Sequence, residues 1–386
     1  MNKGWPSERA ADPPSWAKSV VVIPGLDGAR GGVAAYGVEL ARRLPGGLAT
    51  TCFVVPQPVE RLPTDVDPSA IVETDRDAAV FAETLERSGA GRLLLHFVGY
   101  GYATNGCPEW LAEGLDTWKR RDSTRRLNIY YHELVTEEPW WTRTYWRQPR
   151  QRRVVGALVR RADRVATSCP YFGGKLRSDF GVDDARLAVV PVPATLAKST
   201  AQDSASRKTA GLTALVFGLA GTRARTRQQH ATLLRRLVRR GTMTRLILAG
   251  DQARADEADD LRRAGVEVVA RPNLDETQLA VVAAEADFGL VWNWPPILTK
   301  STVFANLCTL GLPAVIGVKG RDRHTGLPLE PAAVVCDGGA ADIEEAIRAL
   351  ADPERRAELR RNGLRLAQTT LDWSAVAAKL RDHFQW

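Results

Sequence analysis

His132 and Glu133 stand directly after the apolar run 127–131, LNIYY, which reads as a buried strand. Two titratable side chains at a strand's carboxyl end occupy the place where open α/β sheets bind ligands. A histidine there can donate to a hydroxyl or accept its proton. A capped loop is the plainer reading. A second group, Gly31 and Gly32, closes the glycine-bearing stretch 25–32 after the apolar run 19–23 and opens a helix. Glycines at a helix start leave N–H groups bare to an approaching phosphate or sugar oxygen. Their plainer reading is a turn.

Two more groups lie in the second half. Gly218 begins a stretch, 218–227, that reads as a loop after the strand 213–217 and carries Arg223, Arg225 and Arg227. Arginines in such a loop neutralise a diphosphate or merely solvate the surface. Lys300, Ser301 and Thr302 open a helix that turns Val303, Leu307 and Leu310 inward and ends at Gly311 and Pro313. A cation, two hydroxyls and free N–H groups at a helix start form an anion site, or a simple Ser/Thr cap. The preceding run 292–296, WNWPP, adds flat surfaces fit to border a sugar or a base.

These residues require a frame of strands and helices in alternation. In the first half, strands are expected at 19–23, 49–55, 92–98, 127–131, 164–167 and 187–190, with helices at 78–88, 108–121 and 154–162. The strand 92–98 runs into GYGY, which holds Tyr100 and Tyr102. Residues 191–212 have a linker's composition of Pro, Ala, Ser, Thr and Lys. A second series follows, with strands at 213–217, 245–249, 266–270, 288–292, 314–316 and 333–336 and a helix at 228–239. Asp372 caps a last helix with Trp373, Val376, Leu380 and Phe384 on one stripe. The expected organisation is a flexible terminus at 1–18, a domain at 19–190, a linker at 191–212, a domain at 213–368 and a terminal helix in 369–386. Strand, glycine loop and helix in repetition make an α/β doubly wound class.

Bulk properties agree and exclude several classes. The 386 residues suit two domains, and 44% hydrophobic with 25% charged residues is a globular balance. Five scattered cysteines without CxxC spacing give neither a disulfide framework nor a zinc site, so reduced thiols and a cytoplasmic location are expected. No signal-peptide apolar core opens the chain and no run of about 18 apolar residues occurs. GxSxG, HExxH, P-loop and GxGxxG patterns are absent, and no metal is expected. The net charge is +8. Its densest patch, 143–164, holds Arg147, Arg150, Arg152, Arg153, Arg160 and Arg161, with Trp140, Trp141 and Trp146 beside it. A solvated helix face or a membrane-surface contact over Trp140 to Arg164 explains this stretch. Nucleic acid is not expected, since no recognition motif accompanies the charge.

The four groups, in this order, resemble the retaining GT4-like (group 1) GT-B glycosyltransferases over about residues 19–386. The segments carrying the likeness are GGVAAYGVELARRL, HFVGYGYATNGCPEWLAEGL with YYHEL, VFGLAGTRARTRQQHATLL, KSTVFANLCTLGLPAV and WSAVAAKLRDHF. The resemblance implies two Rossmann-like domains facing across a cleft, with the last helix packing back on the first. It implies metal-free transfer from a nucleoside-diphosphate sugar, with no further cofactor, to a saccharide or lipid-linked acceptor. His132 would then sit near the transferred sugar, with Tyr100, Tyr102 and Glu133 on the acceptor side. Gly31, Gly32, Gly218, Arg223, Arg227, Lys300, Ser301, Thr302, Val303 and Asn306 would face the donor. One departure stands out: the family's paired glutamates, eight positions apart, fall on Leu298 and Asn306. Asn306 could hold the ribose hydroxyls in part, whereas Leu298 replaces nothing. A catalytically inactive GT-B nucleotide-sugar-binding or scaffold protein is therefore the alternative.

Overall fold

The computed structural model describes residues 19–26, 32–57, 59, 63–89, 91–196, 211–318, 325–329 and 331–386. The flexible terminus expected at 1–18 lies outside them, as does Gly31. The first series runs β1 (Ser19–Val22), α1 (Gly32–Ala41), β2 (Thr51–Val55), β3 (Ile71–Glu73), α2 (Ala78–Arg87), β4 (Arg92–Phe97), α3 (Gly99–Tyr102), α4 (Glu109–Arg121), β5 (Arg126–Tyr131), α5 (Gln148–Arg161), β6 (Arg164–Thr167), α6 (Pro170–Phe180) and β7 (Leu187–Val189). Its strands pair in parallel in the order β3-β2-β1-β4-β5-β6-β7. A parallel sheet covered on both faces must be apolar throughout, which is why Val20, Val21, Val22, Leu93, Leu94 and Leu95 are all buried. Asp77 starts α2 by accepting from the N–H groups of Ala79 and Val80. Helix α4 lies close on α2: Phe81 meets Trp110 edge to face at 5.3 Å. Gly114 permits this approach, because a Cβ there would stand 2.7 Å from Phe81 Cδ1.

The second series runs β8 (Leu212–Phe217), α7 (Ala220–Gln229), α8 (Ala231–Arg239), β9 (Met243–Gly250), α9 (Asp259–Arg263), β10 (Glu267–Pro272), α10 (Glu276–Ala283), β11 (Phe288–Trp292), α11 (Thr302–Thr309), β12 (Ala314–Gly317), β13 (Ala333–Cys336), α12 (Ala340–Ala351), α13 (Pro353–Leu366) and α14 (Trp373–Phe384). Its parallel order is β10-β9-β8-β11-β12-β13. Each sheet reverses its winding beside its first strand, between β1 and β4 and between β8 and β11. These reversals are the switch points at which doubly wound sheets take ligands. The two Rossmann-like units of the expected fold are therefore present.

Several expectations need adjusting. One unit comprises the described residues through Ser168 with Phe172–Val190 and Ala377–Trp386, and the other Cys169–Tyr171 with Pro191–Val376. The described start of the expected linker is packed chain: Ala194 and Leu196 belong to the second unit's core. The amide of Val192 donates to Thr299 O at 2.8 Å and that of Ala194 to Leu371 O at 2.8 Å. Residues 197–210 lie outside the described ones. The final helix begins as expected, with the Ser374 N–H donating to Asp372 at 2.7 Å. Its end belongs to the first unit, where Asn128 donates to Phe384 O at 3.3 Å.

Candidate functional site

His132 leaves β5 with its amide bonded to Phe97 O at 3.0 Å, so its backbone continues the ladder to β4. Register places His96 opposite Tyr130, and His132 follows two residues later. As a result His96 Nδ1 lies 3.0 Å from His132 Nε2. Burial pulls His96 down to a pKa of about 3, so its ring is neutral at ordinary pH. One of the two facing nitrogens must carry the shared hydrogen. The rings of Tyr36 and Tyr130 enclose His132, with centroids at 5.1 and 4.7 Å. Gly37 brings α1 this close, since a Cβ there would meet Ile23 Cγ2 at 2.7 Å. His132 is 8% exposed and His96 0%, so the imidazole at the rim is backed by one in the interior. His96 Nε2 is buried without a partner.

The other first-unit residues are placed unequally. Gly32 opens α1 with nothing within 4 Å of a Cβ position, leaving open space at that helix start. Glu133 is exposed. The Tyr100 hydroxyl is met by Gln151 Nε2 at 3.4 Å on an exposed ring. Tyr102 is a correction: it is fully buried, and its hydroxyl lies 3.1 Å from Val22 O and 3.0 Å from His96 O. It ties β1 to β4, and its hydroxyl is engaged by those two carbonyls.

In the second unit, Gly218 (φ +126°) and Gly250 (φ +119°) end β8 and β9. The two strands converge so closely that a Cβ on Gly250 would stand 2.3 Å from Gly218 O. The expected loop 218–227 is mostly helix, since α7 starts at Ala220. On that helix the arginines point in different directions. Arg223 is the main correction. It is 0% exposed, and its guanidinium bonds Glu257 at 3.0 and 2.6 Å, Gly218 O at 2.6 Å and Asp251 O at 3.0 Å. Burial pushes Glu257's pKa up, but the hydrogen bond from Arg223, the Arg254 amide and the charges of Arg223 and Arg227 together hold the carboxylate below its ordinary value. With those bonds made inside the protein, Arg223 positions the loops and does not grip a ligand. Arg225 lies over the Trp292 ring at 5.1 Å. Arg227 is half-buried, its Nε is enclosed without a hydrogen-bond partner, and its charge helps hold down the pKa of Glu257.

Helix α11 opens beside this loop. A Cβ on Gly218 would lie 3.7 Å from Val303 Cγ2. Ser301 caps the helix by accepting from the Phe304 N–H at 3.2 Å. The N–H groups of Thr302 and Val303 have no acceptor within the helix. Thr302 is exposed and Lys300 half-buried. Gly218, after β8, and Val303, in the first turn of α11, therefore lie together, with Lys300, Ser301 and Thr302 adjoining Val303 in the chain and Arg227 farther along α7.

Asn306 is the second correction. It is 4% exposed, and its Oδ1 accepts the amides of Thr195 at 2.9 Å and Leu196 at 3.1 Å while its Nδ2 donates to Thr195 Oγ1 at 2.9 Å. Its amide clamps the entering chain onto α11 and is spent there. Leu298 is fully buried in the same core. Asn306→Leu is expected to strand two amides and to cost roughly 2–4 kcal/mol in urea unfolding. Nucleotide affinity should be unaffected, and a large loss of affinity at unchanged stability would return Asn306 to the site.

His96, Tyr36, Tyr130 and Glu257 are the partners that the linear sequence did not reveal. The available signal was His96, a polar residue inside the apolar strand RLLLHF. Among the described residues, no group of three or more His, Cys, Asp or Glu could hold a metal ion.

No family model and no curated relative matches the sequence. Solved structures do match over almost their whole length. WaaG, a glycosyltransferase involved in lipopolysaccharide biosynthesis, is 13% identical with a TM-score of 0.56, covering 94% of this chain and 98% of its own. An α-glucosyltransferase in complex with UDP and a DNA oligomer is 14% identical with a TM-score of 0.57, covering 95% and 98%. A UDP-N-acetylglucosamine 2-epimerase of Listeria monocytogenes, so described provisionally, is 14% identical with a TM-score of 0.58, covering 96% and 97%. At such identities the likeness establishes the fold, which is that of the GT-B glycosyltransferases.

Proposed function

We propose that this GT-B chain is a glycosyltransferase that moves a sugar from a nucleoside-diphosphate sugar to an acceptor hydroxyl, with retention and without a metal. The observation that carries this reading is the approach of Gly218 to Val303 at the second sheet's switch point, where Lys300, Ser301 and Thr302 open α11; Arg227, farther along α7, is the basic side chain we assign to the same ligand. Bare N–H groups, a helix dipole and cations are what a diphosphate leaving group needs. Gly32 offers a second open helix start. His132, oriented by neutral His96, would act on the transferred sugar, with Tyr100 and Glu133 toward a saccharide or lipid-linked acceptor. The chain would work in the cytoplasm, peripherally at the inner face of a membrane.

A second reading is favoured by Leu298 and Asn306, because both positions are committed to packing and neither supplies a carboxylate. On that reading the chain binds a nucleotide sugar without transferring it. Calorimetry with UDP, GDP, ADP and dTDP and the matching sugar nucleotides separates the cases. One nucleotide is expected to bind at micromolar concentration, and Arg227→Ala to weaken it by about tenfold or more. Binding with no donor consumption, with or without acceptors, would select the second reading. Donor epimerised or hydrolysed without an acceptor would point instead to the chemistry of the epimerase neighbour. Failure of all four nucleotides would remove the donor site itself.

A further inference from the structure

The chain between β5 and α5 displays three large indoles to solvent: Trp140 is 65% exposed, Trp141 70% and Trp146 72%. Such exposure is costly for tryptophan unless something covers the rings. The loop is not slack. The Thr142 N–H donates to Pro139 O at 2.9 Å, the Tyr145 N–H to Thr142 Oγ1 at 3.2 Å, and the Thr136 N–H to Gln151 Oε1 at 3.0 Å. The rings are therefore held outward by an ordered backbone.

The charges beside them narrow the basic stretch 140–164. Arg150 pairs with Glu109, Arg152 with Asp179 and Arg161 with Asp116. Those arginines are occupied within the fold. Arg143, Arg147 and Arg153 have no carboxylate within ion-pair distance among the described residues. Glu137 is tied to Lys175, Glu133 and Glu138 both precede the indoles in the chain, and the stretch 140–147 itself carries Arg143 and Arg147 and no carboxylate. Exposed indoles flanked by arginines that hold no ion pair among the described residues match the water–lipid boundary, where the ring takes the headgroup level and the cation meets anionic lipid. A neutral saccharide would not call for the arginines. It would stack on a flat platform, whereas Trp140 and Trp141 stand at 82° to each other and Tyr145 and Trp146 at 86°. No helix of the described residues is long and apolar enough to cross a membrane, so a contact of this kind would be made from the surface.

We infer that residues 140–147 are a membrane-docking loop that seats Trp140, Trp141 and Trp146 in the headgroup zone of an anionic bilayer, with Arg143 and Arg147 on its phosphates. The peripheral location proposed above thereby gains a defined surface. It stands on that surface and not on the chemistry of His132, so vesicle binding and sugar transfer can fail independently. The test is co-sedimentation of the full chain with vesicles of equal parts phosphatidylcholine and phosphatidylglycerol, set beside phosphatidylcholine alone. Binding is expected to the anionic vesicles, with a blue shift of tryptophan emission. Exchanging all three indoles for serine should lower partitioning by about tenfold or more. Replacing Arg143 and Arg147 by serine should lower it by about fivefold for each. All five side chains are exposed or half-buried surface groups, and unchanged circular dichroism would verify folding. Absence of binding to anionic vesicles, or binding that survives loss of the three indoles, would overturn the proposal. So would emission that responds to a soluble oligosaccharide and not to vesicles, which would reassign the loop to an acceptor chain.

Discussion

His132→Ala is expected to lower sugar transfer by about a hundredfold to ten-thousandfold, the range for a lost acid–base group. Its basis is the placement of one imidazole at the rim and a second, neutral at ordinary pH, behind it. His96 Nδ1 bonds His132 Nε2, so the ring direction of His132 is set from below and its tautomer is coupled to that of His96. Tyr36 and Tyr130 restrict rotation of the ring by edge and tilted contacts. Alanine would also leave His96 without its Nδ1 partner, at a cost of roughly 1–3 kcal/mol. His132→Gln is the informative companion, because glutamine can keep a hydrogen bond to His96 and cannot take a proton near neutrality. Both variants should keep the circular dichroism of the parent and its nucleotide affinity, with the loss read in kcat. Transfer at the parental rate in either variant would remove His132 from the chemistry.

Arg223→Ala is expected to destabilise the second unit by roughly 3–5 kcal/mol, the cost of stranding one partner of a buried ion pair. Arg223 joins three separate pieces of chain: Gly218 after β8, Asp251 after β9, and Glu257 ahead of α9. Without it, the Gly218 and Asp251 carbonyls lose a donor and Glu257, 18% exposed, loses its cation. For a unit of this size such a loss lowers the Tm by roughly 10 °C. Arg223→Lys should fall between, since an ammonium keeps the charge but not the two-pronged geometry. Nucleotide binding should weaken only as far as the loop moves. The opposite pattern, parental stability with affinity lost, would show that Arg223 meets the ligand directly.

The parallel strands were readable from sequence because their burial is two-sided. SVVV, RLLLHF and RLNIYY are apolar on both faces apart from His96, Asn128 and the end residues, and each is followed within three residues by glycine or histidine. Helix α7 was not readable. Its buried residues are Arg223 and Thr226, so the inward face is polar and no apolar period marks it. Alanine, glutamine and arginine, strong helix formers, carry it instead. Strand β3 has three residues and helix α3 four, lengths below any periodic signal.

The sequence alone therefore determined the two α/β series, the residues at strand ends and helix starts, and the position of His132 after LNIYY. These follow from local rules: apolar runs make strands, and glycine and hydroxyl residues punctuate them. It also marked Trp140, Trp141 and Trp146 as a cluster. Only the tertiary structure decided which polar side chains face outward. Asn306 lies on its expected helix and Arg223 on a helix where a loop was expected, and neighbouring chain supplies Glu257 and the amides of Thr195 and Leu196 to receive them. Parallel pairing likewise brought His96 beside His132, 36 residues apart in the chain. A side chain's type states which bonds it can make. Which of them it makes is settled by partners distant in sequence, and those exist only once the sheets have formed.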